Sequence, residues 1–154
     1  MGRIMKPSAM VVARSFLDVV WADVPPSDAE LLVALDRLLA AVHDVPEAEP
    51  ADAEVARTDR DWTSVYGQIA TRFPAYGLYA VSSPLALGEA AMTGDAIDDL
   101  ADLTEDLREV LWRGEQSGPD DAAWYLRFMY EAHWGRHARE LALFLHARLS
   151  ERLE

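Results

Sequence analysis

Within EAHWGRHARE, residues 131–140, His133 and His137 stand four apart. On a helix that spacing stacks two side chains on one face. A transition metal uses this spacing, and so does ordinary packing. A second chemistry-bearing group lies in GDAIDDLADLTEDLREVL, residues 94–111. At roughly 100° per residue, Asp95, Asp99, Asp102 and Asp106 fall in one narrow stripe. Beside it runs an apolar face of Ile97, Leu100, Leu103, Leu107, Val110 and Leu111, while Asp98, Glu105 and Glu109 turn further toward solvent. Three readings of the stripe are open. It is a solvated border, favoured near a helix N-terminus by the dipole. It is an ion-pair ladder with arginines of the last helix, Arg127, Arg136 or Arg139. Or it is a cation site, since hard cations want clustered carboxylate oxygens and bundle metal sites draw ligands from adjacent helices.

The candidate ligands for such a site are Asp99, Asp102, Asp106, His133 and His137. Against it, the Glu-x-x-His motif of di-iron bundles is absent, as are the paired Glu-x-x-Glu motifs of helical nucleotide pyrophosphatases. A zinc site needs a third protein ligand, and the last helix offers none on the histidine face. The neighbours of the pair at helical spacing are Leu126, Tyr130, Leu141 and Phe144. The histidines are therefore expected to be packing residues rather than ligands, and no cofactor is expected, with a divalent metal as the alternative. Ser82, Ser83 and Ser117 lie in loops without a nucleophile-elbow pattern.

The elements that must position these groups are all helical. The 154 residues are 51% hydrophobic, enough for one folded domain with its own core. An apolar first helix spans residues 8–23 and stops at Pro25-Pro26. SDAE follows, a capping-box pattern, and opens a second helix on Leu31, Leu35, Leu38 and Val42. Residues 44–60 read as an acidic Pro/Ala loop. Trp62, Val65, Tyr66, Ile69, Ala70 and Phe73 mark a third, strongly amphipathic helix, closed by Pro74. Residues 74–94 hold two prolines and three glycines and predict an irregular crossing segment, tucked onto the core by Tyr76, Tyr79 and Leu85. A fourth helix runs from Asp95 to Arg113 with Gly114 as its cap, and a fifth from Pro119 to about Leu149. The expected fold is all-α, a single-domain bundle of about five helices with no sheet.

The fifth helix carries two apolar stripes. One is Trp124, Phe128, Gly135, Ala142 and Leu149; the other is Leu126, Tyr130, His133, His137, Leu141 and Phe144. Such a helix is central or bears an interface. Gly135 inside a helix costs up to about 1 kcal/mol relative to alanine, which predicts a close approach of another helix there.

With no cysteine, disulfides and thiolate chemistry are excluded. The net charge of −13 argues against nucleic acid. Residues 89–121 alone hold eleven acidic side chains against Arg108 and Arg113. The first apolar run is broken by Arg14 and Asp18, so it fits neither a signal peptide nor a membrane span. The terminal Leu153-Glu154 pair is of a kind an expression tag leaves. The expectation is a cytoplasmic protein without membrane association.

Two segments carry a family resemblance. DDLADLTEDLREVL, residues 98–111, and HWGRHARELALFLH, residues 133–146, resemble in order and separation two segments of the bacterial family catalogued as domain of unknown function 5063. The similarity covers roughly residues 95–147. It implies a small, soluble, all-helical bacterial protein and no particular activity. It supports Asp99, Asp102 and Asp106 among the acids and Trp134, Gly135 and His146 in the closing segment. It implies no histidine pair at 133 and 137 shared across the family.

Two functions compete at this stage. The first is a non-enzymatic helical module that binds a protein partner or itself as a homodimer, through the acidic patch and the two-faced last helix, with Tyr130, Trp134, Gly135, Phe144 and His146 as interface or structural residues. The second is a metal-dependent hydrolase that uses the aspartate stripe with the two histidines.

Overall fold

The structure, a computed structural model of the chain, describes residues 6–52, 57 and 59–152. Four helices precede the last rod: α1 (Ala9–Val20), α2 (Asp28–Ala41), α3 (Trp62–Arg72) and α4 (Ala96–Ser117). The rod itself is α5 (Pro119–Met129), a π turn (Tyr130–Trp134) and α6 (Gly135–Glu151), joined without a break in helical backbone. The predicted bundle of five helices is therefore present.

Local chemistry explains each start. Ser8 caps α1 by accepting from the Val11 amide. Ser27 caps α2 by accepting from the Glu30 amide, and its hydroxyl donates to the Glu30 carboxylate. Asp61 and Asp95 cap α3 and α4. Pro119 opens α5 at a position where its missing N–H costs nothing.

The expectation of no sheet is corrected. Within 74–94, β1 (Leu78–Val81) and β2 (Met92–Asp95) pair antiparallel, Leu78 opposite Asp95 and Val81 opposite Met92. Two four-residue strands leave too little periodicity to read. Tyr76 and Tyr79 do reach the core, but Leu85 is fully exposed. Helix α4 also outruns its predicted end. Gly114 is not a cap: Met10 packs where its Cβ would stand, and the helix runs on to Gly118, whose φ of 99° suits glycine.

Helix α4 is the central element, packed against α1, α3, α5 and α6. Leu100, Leu103, Leu107 and Val110 are fully buried on it. Opposite them stand Leu126, Trp134, Ala138, Leu141 and Leu145 of the last rod. These do not follow one 3.6-residue stripe. From Leu126 to Trp134 is eight residues, which at 100° each ends about 80° out of register. The π turn absorbs one residue and swings Trp134 back over Leu126, whose carbonyl accepts from the Trp134 indole at 3.0 Å. The two stripes read from a uniform helix are thus replaced by one buried face with a register shift at its centre.

Gly135 sits where that shift closes. Its amide donates to the Tyr130 carbonyl five residues back. A Cβ there would overlap the same carbonyl oxygen and the Tyr130 ring. The nearest atoms belong to Tyr130 of its own rod, where a neighbouring helix was expected. Gly135→Ala should therefore destabilise by about 1–3 kcal/mol through overpacking, although alanine propensity alone would stabilise by up to about 1 kcal/mol. Urea denaturation decides between the signs, and a stabilised variant would show that the π turn tolerates a side chain.

Candidate metal centre

Helices α4 and α6 run antiparallel, so that Asp106 meets His133 and Asp99 meets His137. On α4 the three aspartates fall at i, i+3 and i+7, one face over two turns. On the rod, the π turn places His133 in line with His137, their rings 4.8 Å apart between centroids and steeply inclined.

The hydrogen bonds sort the five side chains into two roles. His133 Nδ1 lies 2.6 Å from Asp106 Oδ2, and His137 Nδ1 lies 2.7 Å from Asp99 Oδ1. Both of these aspartates are buried. The remaining nitrogens converge on the third acid: Asp102 Oδ2 is 3.6 Å from His133 Nε2 and 3.2 Å from His137 Nε2. Asp102 is itself oriented by the Trp62 indole, which donates to its Oδ1 at 3.0 Å and leaves Oδ2 facing the histidines. The three converging groups are only partly buried, with His133 at 35% exposure.

Two further groups hold the outer aspartates. The Tyr79 hydroxyl of β1 donates to Asp99. Arg60, from the loop before α3, reaches Asp106 at 3.2 Å and Glu109 at 3.1 Å. Burial pushes the carboxyl pKa of Asp99 and Asp106 upward, and the hydrogen bonds from His137 and Tyr79 on one, and from His133 and Arg60 on the other, offset this only in part. For His137, burial opposes the charge. The hydrogen bond to Asp99 and the fields of Asp102, Asp99 and Asp98 outweigh it, so the imidazole holds its proton above the ordinary pH.

Several expectations change here. His133 and His137 are not enclosed by apolar neighbours; they face three carboxylates of α4. The acids lie on a different helix from the histidines, which is why one-helix angles did not show them. The expected arginine partners of the stripe are otherwise engaged: Arg127 donates to the carbonyls of Val42 and Val45, Arg136 pairs with Glu140, and Arg139 donates to the Tyr130 hydroxyl. Glu105 and Glu109, expected toward solvent, are buried, and Arg57 and Arg60, which precede α3, reach them. Arg57 pairs with Glu105 at 2.6 Å and Arg113 with Glu109 at 3.0 Å. Part of the loop before α3, residues 53–56 and 58, lies outside the described residues.

Of the other residues read as structural, Trp134 is fully buried and Phe144 stacks on Tyr79 at 4.8 Å between centroids. Tyr130 packs edge-on against His43 and Trp134, while His146 is exposed. Sequence reasoning missed Tyr79, Trp62 and Arg60 as positioning groups. Arg57 and Arg60, the only cations in a stretch rich in acids just before the Asp61 cap, were the available signal.

Two imidazole nitrogens and a carboxylate oxygen, each about 2.0–2.1 Å from a tetrahedral zinc, stand about 3.3–3.4 Å from one another. The observed 3.2 and 3.6 Å bracket that separation. The Nδ1-to-aspartate bonds supply the carboxylate–histidine support that metal-binding histidines use to fix tautomer and raise basicity. The two Asp102-to-histidine spacings thus suit a divalent transition ion, and all three donor atoms lie within 4.8 Å of one another.

Among the described residues, no helix is long and apolar enough to cross a membrane. No curated protein matches the chain. Among solved structures, the crystal structure of protein BF1032 from Bacteroides fragilis is similar over 90% of this chain and 88% of that one, with a TM-score of 0.69 at 15% identity. At that identity the likeness speaks for the fold alone. The family model described as a domain of unknown function (DUF5063) matches residues 11–150. That span reaches well beyond the two C-terminal segments and takes in α1, α2 and α3, so the chain belongs to this family over nearly its whole length.

Proposed function

We propose that this protein binds a divalent transition metal, zinc by preference, through His133 Nε2, His137 Nε2 and Asp102 Oδ2. One observation carries the reading: both Nε2 atoms face a single carboxylate oxygen at ligand-to-ligand spacing while both Nδ1 atoms are held by buried aspartates. Asp99 and Asp106 are positioning residues, and Tyr79, Arg60 and Trp62 fix them and Asp102 in turn. Three protein ligands with an open fourth position is the layout of zinc centres that lower the pKa of a bound water, whereas structural zinc sites are closed. This supports the hydrolytic alternative over a purely structural ion.

The acidic patch lends less to the interaction reading than its composition suggests. Glu105, Asp106 and Glu109 are buried and matched by Arg57, Arg60 and Arg113 inside the fold, which withdraws three of its acids from a partner.

The test is elemental analysis of protein purified without an affinity tag or chelator. One equivalent of zinc, or zinc taken up after addition and retained through desalting, supports the proposal; a wild-type protein that retains none under either condition refutes it.

A pH dependence follows from His137. When His137 is protonated its Nε2–H faces Asp102, and a metal must displace that proton. Because the folded pKa is raised above the ordinary 6.5, affinity should begin to fall with decreasing pH earlier than for an unperturbed imidazole. The same sign governs stability without metal. A raised histidine pKa stabilises fully below 6.5 and loses that contribution as pH rises through the folded value. The raised carboxyls of Asp99 and Asp106 act with the same sign in a lower window, costing stability as pH climbs past 3.8. The metal-free melting temperature is therefore expected to drop as pH rises above 6.5 and to recover when zinc is added. A drop that zinc leaves unchanged would contradict the displacement.

A further inference from the structure

Helix α3 packs along α4 and lays two aromatic rings beside the histidine–aspartate site. The Trp62 indole donates to Asp102 Oδ1, and one turn further on the Tyr66 hydroxyl donates to Asp95 Oδ2. The two rings stand 5.1 Å apart between centroids, and Trp62 keeps 41% of its surface exposed. On α4, Asp98 stands between these two contacts, and its charge reaches Tyr66. A carboxylate oxygen of Asp98, one of Asp99 and a ring nitrogen of His137 all lie within 4.8 Å of one another.

Asp98 differs from the other aspartates of this face. Asp95, Asp99, Asp102 and Asp106 each accept a hydrogen bond from a side chain: Tyr66, Tyr79, Trp62 and Arg60 in turn. Asp98 is half-buried and, among the described residues, accepts none and forms no ion pair. The main charges that act on it are Asp102, His137, Asp99 and Asp95, three acids against one imidazole. Asp102, one turn away on the same helix, repels it, and a metal takes His137 in its neutral form. No arginine makes up the difference. Arg60 is shared among Glu105, Asp106 and Glu109, and Arg136 pairs with Glu140. Even a divalent ion together with Arg60 leaves Asp98, Asp99, Asp102 and Asp106 in excess. A site for phosphate esters needs cations free to clamp the phosphate oxygens. This one presents an unpaired acid beside an exposed indole, and a cation is what an indole face and a carboxylate both attract.

We propose that the ligand of this centre carries an ammonium group, received by Asp98 and the rings of Trp62 and Tyr66 while an oxygen donor of the same molecule meets the metal. Asp98 is then the residue that sets specificity. The inference rests on the metal reading.

Titration of the cobalt-loaded protein tests it, read by the visible absorption of the ion. Two probes of equal length are compared, butyrohydroxamate and β-alanine hydroxamate, which carry a methyl and an ammonium group at the same end. The ammonium probe is expected to bind at least about 10-fold more tightly, the size of a charge-assisted hydrogen bond. Inorganic phosphate should leave the spectrum unchanged at the concentration that saturates this probe. Asp98→Asn should still take up one equivalent of cobalt and lose the preference. Equal affinity for the two probes, a preference that survives Asp98→Asn, or a second equivalent of cobalt that Asp98→Asn abolishes would each overturn the proposal and leave the metal reading standing. A wild type that takes up no cobalt overturns both.

Discussion

His137→Ala is expected to abolish stoichiometric zinc binding. The variant removes one of three protein ligands and also leaves Asp99 without the imidazole that offsets its burial. Losing an outer partner of a metal-binding histidine typically costs about 10–100-fold in affinity, so losing the ligand itself should exceed that range. The same holds for His133→Ala and for Asp102→Ala. Asp99→Asn and Asp106→Asn keep the shape but remove the carboxylate behind each imidazole, and should fall within the outer-partner range. A competition titration against a chromophoric chelator reads all five. If His137→Ala and Asp99→Asn weaken zinc equally and only slightly, the ion sits elsewhere.

Trp134→Ala should be the most damaging single truncation in the bundle, at about 3–5 kcal/mol. Trp134 is the largest of the fully buried side chains and its indole donates to the Leu126 carbonyl. The loss also bears on the site. Trp134 ends the π turn that carries His133, and its packing over Leu126 holds the register shift in place. Zinc affinity should therefore fall together with stability in a milder variant, Trp134→Phe, which keeps most of the apolar area and drops the indole hydrogen bond. A urea midpoint within about 1 kcal/mol of wild type for Trp134→Ala would show that the rod does not depend on this contact.

Where the sequence was legible, it was so for a local reason. The Ser27 cap, the Pro119 start and the apolar face of α4 are each set by residues within one or two turns, and the structure places them as expected. The five candidate ligands were also readable by type and spacing, because spacing on one helix is a local property. Their meeting was not. It depends on α4 and α6 running antiparallel at the right height, and on a π turn that no single-residue preference announces. A uniform helix assigned His133 and His137 to an apolar stripe. One inserted residue turned them toward Asp99, Asp102 and Asp106 and brought Trp134 inward. The outer acids misled for a related reason. Glu105 and Glu109 were read as solvent-facing because Arg57 and Arg60, which bury them, come from a loop some fifty residues earlier.

The most direct test of the central claim is X-ray absorption at the zinc edge on the tag-free, zinc-loaded protein. The arrangement of His133, His137 and Asp102 predicts two imidazole shells and oxygen scatterers, all about 2.0–2.1 Å from the metal, and no stoichiometric zinc in His133→Ala. A spectrum of oxygen ligands alone, unchanged by His133→Ala, would contradict it and reduce the five side chains to a buried hydrogen-bond network between α4 and α6.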